Sequence, residues 1–97
     1  MYRSIGLIEV AGMTTAISSV DAMVKGAYVE VVNIERIGSG LITIIISGDL
    51  ASVQAAVEVG IEAASSHGEV FGFKVIPRPS ESLYQLYDPE QAGENNE

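Results

Sequence analysis

The sequence predicts a single α+β domain whose elements follow the order βαββαβ. Three observations lead there. The run Leu41-Ile42-Thr43-Ile44-Ile45-Ile46-Ser47 carries five large aliphatic residues in seven and no charge; left at an exposed sheet edge it would recruit other chains, so it belongs in a sheet interior. Gly38-Ser39-Gly40 separates it from a second run rich in β-branched residues, 28–37, which reads as a hairpin around a tight turn. On either side of this hairpin lies a segment of helical periodicity followed or preceded by a further strand-like run.

Residues 4–10 form the first expected strand, apolar on both faces as an interior strand is. Gly12 ends it. Residues 14–25 show a helical stripe of Ala16, Ile17, Val20, Met23 and Val24, with Thr14 or Thr15 as the expected N-cap and Lys25-Gly26 as the C-terminal signal. The hairpin of 28–47 follows, expected at the middle of the sheet with its turn projecting at one end. Asp49 is placed to cap a second, alanine-rich helix whose stripe is Leu50, Val53, Val57, Ile61 and Ala64, ending at Ser65-Ser66-His67-Gly68. Residues 69–76 form the last strand, with Phe71, Phe73 and Val75 expected on one face and Val70, Gly72 and Ile76 on the other. Pro77-Arg78-Pro79 stops it. Ser80 is set to cap a short helix over 81–86, and from Asp88 the composition is that of a disordered acidic tail. The domain is thus expected over 1–87, with the tail at 88–97. Right-handed crossovers in this order bring the first and third strands together at the centre, in a ferredoxin-like, four-stranded antiparallel sheet with both helices on one face.

Composition narrows the function. Hydrophobic residues make up 47% of a 97-residue chain, and mean hydropathy is +0.30. A domain this small buries only about 60–70% of its unfolded surface, so the excess apolar material predicts self-association. No apolar run reaches the length of a membrane span. The net charge is −8. Residues 1–87 hold 9 acids against 5 bases, which argues against nucleic acid, since phosphate neutralisation needs clustered Lys and Arg. The start, Met1-Tyr2-Arg3-Ser4, shows no secretory pattern, and there is no cysteine; a cytosolic setting is expected.

Catalytic chemistry finds little footing. The single histidine, His67, reads as an exposed residue at a helix end. Ser39 lies between strands, with no strand-to-helix elbow around it. The acids are scattered, so no metal or other cofactor is expected. Gly38-Ser39-Gly40 lacks the third glycine of a dinucleotide fingerprint and leads into a strand rather than a helix. Its significance lies in self-association: side-chain-poor turns from several copies can converge on a symmetry axis and line a narrow polar opening. Lys25 alone is an ordinary last-turn base, whereas Arg78 is held in one direction by Pro77 and Pro79, which suggests docking.

Taken together, Gly6-Leu7-Ile8-Glu9, Asp21-Ala22-Met23-Val24-Lys25, Ile37-Gly38-Ser39-Gly40-Leu41, Gly48-Asp49 and Val75-Ile76-Pro77-Arg78-Pro79 resemble, in order and spacing, the hexamer-forming shell proteins of bacterial microcompartments. The likeness spans residues 4 to about 87 and is nearest to the propanediol- and ethanolamine-type shells. It implies a non-catalytic homohexamer that tiles edge to edge into a layer around enzymes in the cytoplasm, together with other shell proteins. It further implies that Gly38, Ser39 and Gly40 line a central pore for small polar metabolites, and that Lys25 and Arg78 sit at the edge between hexamers. Relatives often carry Asn where this chain has Tyr28. The competing reading is a small-molecule-sensing regulatory domain of the same fold, since fold alone does not assign function.

Overall fold

The computed structural model describes residues 3–83. Its elements are β1 (Ser4–Ala11), α1 (Met13–Gly26), β2 (Glu30–Gly38), β3 (Leu41–Gly48), α2 (Leu50–Ser65) and β4 (Val70–Ile76). The four strands form one antiparallel sheet in the order β2-β3-β1-β4. The expected α+β arrangement therefore holds, and β3 is interior as its composition demanded. The hairpin as a whole is not central, however. Its partner β2 is an edge strand, because β1 occupies the other side of β3, pairing Ile8 with Ile44 and Leu7 with Ile45. The charges Glu30, Glu35 and Arg36 suit β2 to that edge.

Both helices pack on one face. Ile8, Val10, Ile42, Ile44 and Ile46 from the sheet meet Ala16 and Met23 of α1 and Val53, Ala56, Val57 and Ala64 of α2 in one buried cluster. Each large aliphatic side chain buried there contributes roughly 1.5–3 kcal/mol. α1 leans toward β2 and β3, and α2 toward β1 and β4. The two helices touch closely where Gly60 leaves room for Met23; a Cβ at Gly60 would lie 2.8 Å from the Met23 thioether. Beside it, the buried Ser19 hydroxyl donates to the Gly60 carbonyl at 2.9 Å.

Three local expectations are corrected. First, α1 is not capped by Thr14 or Thr15. The chain turns at Gly12 (φ 88°, ψ 147°), which starts the helix a residue early without a side-chain cap; only glycine adopts that backbone cheaply. Second, the apolar stripe of α1 is only half buried. Ala16 and Met23 are inside with Thr15 and Ser19, while Ile17 is 61% and Val24 46% exposed. Third, a register shift between Glu9 and Val10 inserts an extra residue into β4. Val70 therefore joins Val75 on the helix side instead of lying opposite it.

The second helix begins as expected. The Asp49 carboxylate accepts the Ser52 amide at 3.0 Å and the Ser52 hydroxyl at 2.8 Å. These bonds, the backbone one first, hold its pKa below the ordinary carboxyl value. A depressed folded pKa means stability that is complete above the unfolded carboxyl range and lost as pH falls through the lower folded value. Asp49→Ala should therefore lower the urea midpoint at neutral pH, and the gap from wild type should close in strong acid. Urea titrations at both pH values check this. At the C-terminal side, Ser80 accepts the Leu83 amide at 3.1 Å and starts a helical turn; the rest of the 81–86 helix and the 88–97 tail lie outside the described residues.

Candidate functional site: the hairpin tip and the opposite end

Gly38 pairs with Leu41 across a two-residue loop. Ser39 (φ 54°) and Gly40 (φ 81°) both have positive φ, the condition for a tight primed hairpin turn, and Gly38 stands at φ 100°. All three are exposed. A Cβ built on Gly38 or Gly40 would meet nothing within 4 Å, so within the chain these glycines serve backbone geometry and not crowding. Ser39 is the one non-glycine residue with positive φ among those described. Such a conformation costs on the order of 1 kcal/mol for a residue with a side chain. A serine kept where glycine is cheaper directs attention to its hydroxyl.

The tip is anchored. The Gly12 amide donates to the Gly40 carbonyl at 2.8 Å, tying the start of α1 to the turn. The helix then runs 14 residues, about 20 Å at 1.5 Å per residue, to Lys25. Lys25 lies at the end of the domain away from the tip, where Gly48 approaches the Tyr28 carbonyl and Glu30 pairs with Ser47. Arg78 is at that same far end, just beyond Ile76, which pairs with Ile5. The structure thus brings Lys25 and Arg78 to one end and Gly38-Ser39-Gly40 to the other.

Lys25 and Asp21 form an exposed (i, i+4) ion pair at 3.2 Å, a contact worth only about 0.3–0.5 kcal/mol and easily exchanged for another. Arg78 is exposed between an exposed Pro77 and a buried Pro79, and the Pro77 carbonyl accepts the Ser4 hydroxyl at 2.8 Å. Among the described residues no carboxylate lies within salt-bridge distance of Arg78. Beside it opens a cleft lined by Arg3, Ser4, Gly48, Asp49 and Leu50. Tyr28 is 90% exposed at the same end.

His67 is exposed but not idle: its Nδ1 lies 3.2 Å from the Ser18 hydroxyl and 3.1 Å from the Ala63 carbonyl, linking the end of α2 to α1. Sequence reading missed Arg36, which lines a depression at the tip with Gly12, Met13, Gly38 and Gly40. Its place in the stretch before the turn was visible, but its facing depends on the pairing Arg36–Ile42. Among the described residues no helix is long and apolar enough to cross a membrane.

The four-stranded sheet, the two helices on one face and the glycine-flanked tip make a small α+β domain, a scaffold that serves many functions, so its relatives decide between the readings. The BMC domain profile matches residues 4–79. The chain is 50% identical over 84 residues to the bacterial microcompartment shell protein PduA of Citrobacter freundii, covering 87% of this chain and 90% of that protein. It is 45% identical over 85 residues to the carboxysome shell protein CcmK2 of Synechocystis sp., covering 86% and 82%. A microcompartment protein from Desulfitobacterium hafniense superposes with a TM-score of 0.78 at 30% identity, over 90% of this chain; the chain spans about half, 47%, of that longer one. The chain therefore belongs to the BMC-domain family, and it is a structural shell protein of a bacterial microcompartment. Membership implies association with copies of itself and with other shell proteins. The sensor alternative finds no support in these relatives.

Proposed function

We propose that six copies close into a flat ring whose axis passes through the Gly38-Ser39-Gly40 tips, and that rings tile through Lys25 and Arg78. The carrying observation is that the tip and the two basic residues stand at opposite ends of one domain, joined by α1. A ring with the tips at its centre puts Lys25 and Arg78 at its rim without further assumption. The cleft beside Arg78, walled by Gly48, Asp49 and Leu50 with Arg3 at its side, can take a side chain from across a two-fold edge, because each copy offers both the arginine and the cleft.

Ring closure has independent support. Ile17 and Val24 are exposed on α1, the helix nearer β2, whereas Phe71 (56% exposed) and Phe73 (60%) are exposed on β4 at the other sheet edge. Two different apolar patches on opposite flanks favour head-to-tail contact, the kind of contact from which a ring is built when the rotation between copies closes. The layer built from such rings encloses enzymes in the cytoplasm. Its openings, lined by backbone amides and Ser39 hydroxyls, pass small polar metabolites in preference to apolar ones.

Ser39→Leu tests the opening. It removes a hydroxyl from each copy and adds an apolar branch at a strained position. Each hydrogen bond that a passing solute loses is worth about 1–1.5 kcal/mol, so a polar solute that used even one of the six hydroxyls slows about tenfold. Flux into assembled shells is the measurement, and flux equal to wild type removes Ser39 from the pore.

A further inference from the structure

The sheet face opposite the helices carries a second, unassigned constellation. Glu9 of β1 and Glu35 of β2 flank Thr43 of β3 in one cross-strand row. Thr43 is 7% exposed, and its Oγ1 is buried without a hydrogen-bond partner. A buried hydroxyl in that state costs roughly 1–3 kcal/mol, and such atoms are normally paired. The row opens into a cleft of about 670 Å³, room for several side chains and far more than a single water needs. Leu7, Ile37, Ile45 and Ile76 give the cleft an apolar floor. Glu9 lies over Gly72, its Oε1 3.7 Å from where a Cβ would stand. Glu35 accepts from the Asn33 amide at 3.0 Å. Lys74 also lines the cleft, one row away, but forms no ion pair with either acid. The site is thus two carboxylates and an unsatisfied hydroxyl over an apolar floor, and it asks for a basic donor on an apolar surface.

The same chain offers that surface on its other side. Arg36 pairs with Ile42 and so faces the helix side, next to Met13 and the tip, with Ile17 and Ile34 exposed on the same side. Among the described residues Arg36 has no carboxylate within salt-bridge distance. Rotation about an axis keeps every residue at its own radius, so residues that meet across a ring contact lie equally far from the axis. Arg36 is level with Ile42, and the acidic row is level with Thr43. One residue along a strand is about 3.4 Å, so the two sets match in radius when the tip marks the axis.

We infer that the acidic row is the socket for the neighbouring copy, whose Arg36 enters between Glu9 and Glu35 and donates to Thr43. This inference rests on the ring reading above. It adds that the open sheet face of each copy seats the helix side of the next, and that this ion pair fixes their register.

The test uses charge reversal in the full chain, followed by native mass spectrometry and sedimentation over a concentration series. Glu9→Lys and Arg36→Glu alone should each raise the concentration of half-dissociation at least about thirty-fold, the effect of leaving one charge of a buried pair unpaired. Mixed in equal amounts, the two variants should regain ring mass with equal content of each. In an alternating ring every contact is complementary: the Arg36 retained by one variant faces the Glu9 retained by the other, or the two introduced charges face each other. Circular dichroism confirms that the dissociated variants are folded. Should a reversal unfold the chain, Arg36→Gln and Glu9→Gln serve instead. Their double variant should dissociate no more readily than the worse single one, and additive losses overturn the pairing. Either reversal with wild-type dissociation, or a mixture that stays dissociated, also overturns it while leaving the ring intact as a reading. A wild-type chain that is monomeric at all concentrations removes the ring itself, a separate and distinguishable failure.

Discussion

Ile44→Ala is expected to lower stability by about 3–4 kcal/mol, within the range for a large-to-small change in a closed core. Ile44 is fully buried. It lies between Ile8 of β1 and Ile34 of β2 in the register, beneath the side chains of both helices. Its neighbours on β1 and β3 are held by ladder bonds and cannot collapse into the void. For a domain of this size the loss corresponds to a fall of roughly 12–30 °C in the melting midpoint. Assembly adds its own stabilisation, so the comparison is made at one fixed protein concentration. Ile44→Val, which removes a single methylene, should cost only about 1 kcal/mol. Glu58→Ala, exposed on the outer face of α2, should change stability by no more than about 0.5 kcal/mol. An Ile44→Ala chain that melts with wild type would mean the core is not closed around this residue.

Lys25→Asp and Arg78→Ala are expected to abolish extended sheets while leaving rings whole. Lys25 has only an exposed partner, Asp21, to hold it. Reversing it sets two like charges one helical turn apart and a negative charge at a helix C-terminus, a local penalty of about 0.5–1 kcal/mol that the fold tolerates. At a two-fold edge each substitution counts twice, since the contact contains both copies. Arg78→Ala empties the cleft opposite without touching Pro77 or Pro79. Ring mass in solution combined with electron microscopy of assemblies is the measurement. Unaltered sheets from both variants would take these residues out of the edge, and loss of ring mass would move them from the rim to the ring contact.

Much of the fold is legible in the sequence alone, and the legible parts share a property: their causes are local. The turn at Gly38-Ser39-Gly40, the Asp49 cap, most of the stripe of α2 and the stop at Pro77 each depend on residues within a few positions; Leu50, expected in that stripe, is 38% exposed, and Ala56 and Gly60 are buried beside Val53 and Val57 instead. The interior place of β3 is legible too, because seven uncharged residues admit few alternatives. The illegible parts depend on distant neighbours. Gly12 displaces the threonines as the start of α1 because its amide is taken by Gly40, far along the chain on the other side of α1 and β2. The facing of Val70 follows from a register shift opposite Glu9 and Val10, which leaves no trace in the composition of β4. Ile17 and Val24 read as core because periodicity measures the width of an apolar stripe and not what covers it. The Glu9–Thr43–Glu35 row needs three strands in register, so no single stretch announces it.

The open space around Gly38 and Gly40 carries a consequence for how such shells diversify. No packed neighbour within the chain depends on what occupies those positions, and the turn is moored through the backbone at Gly12 and Gly40 rather than through any side group. In the proposed ring, permeability and architecture are therefore separable traits: the side group at residue 39 sets what meets a solute at the axis, while the backbone tie between Gly12 and Gly40 holds the turn.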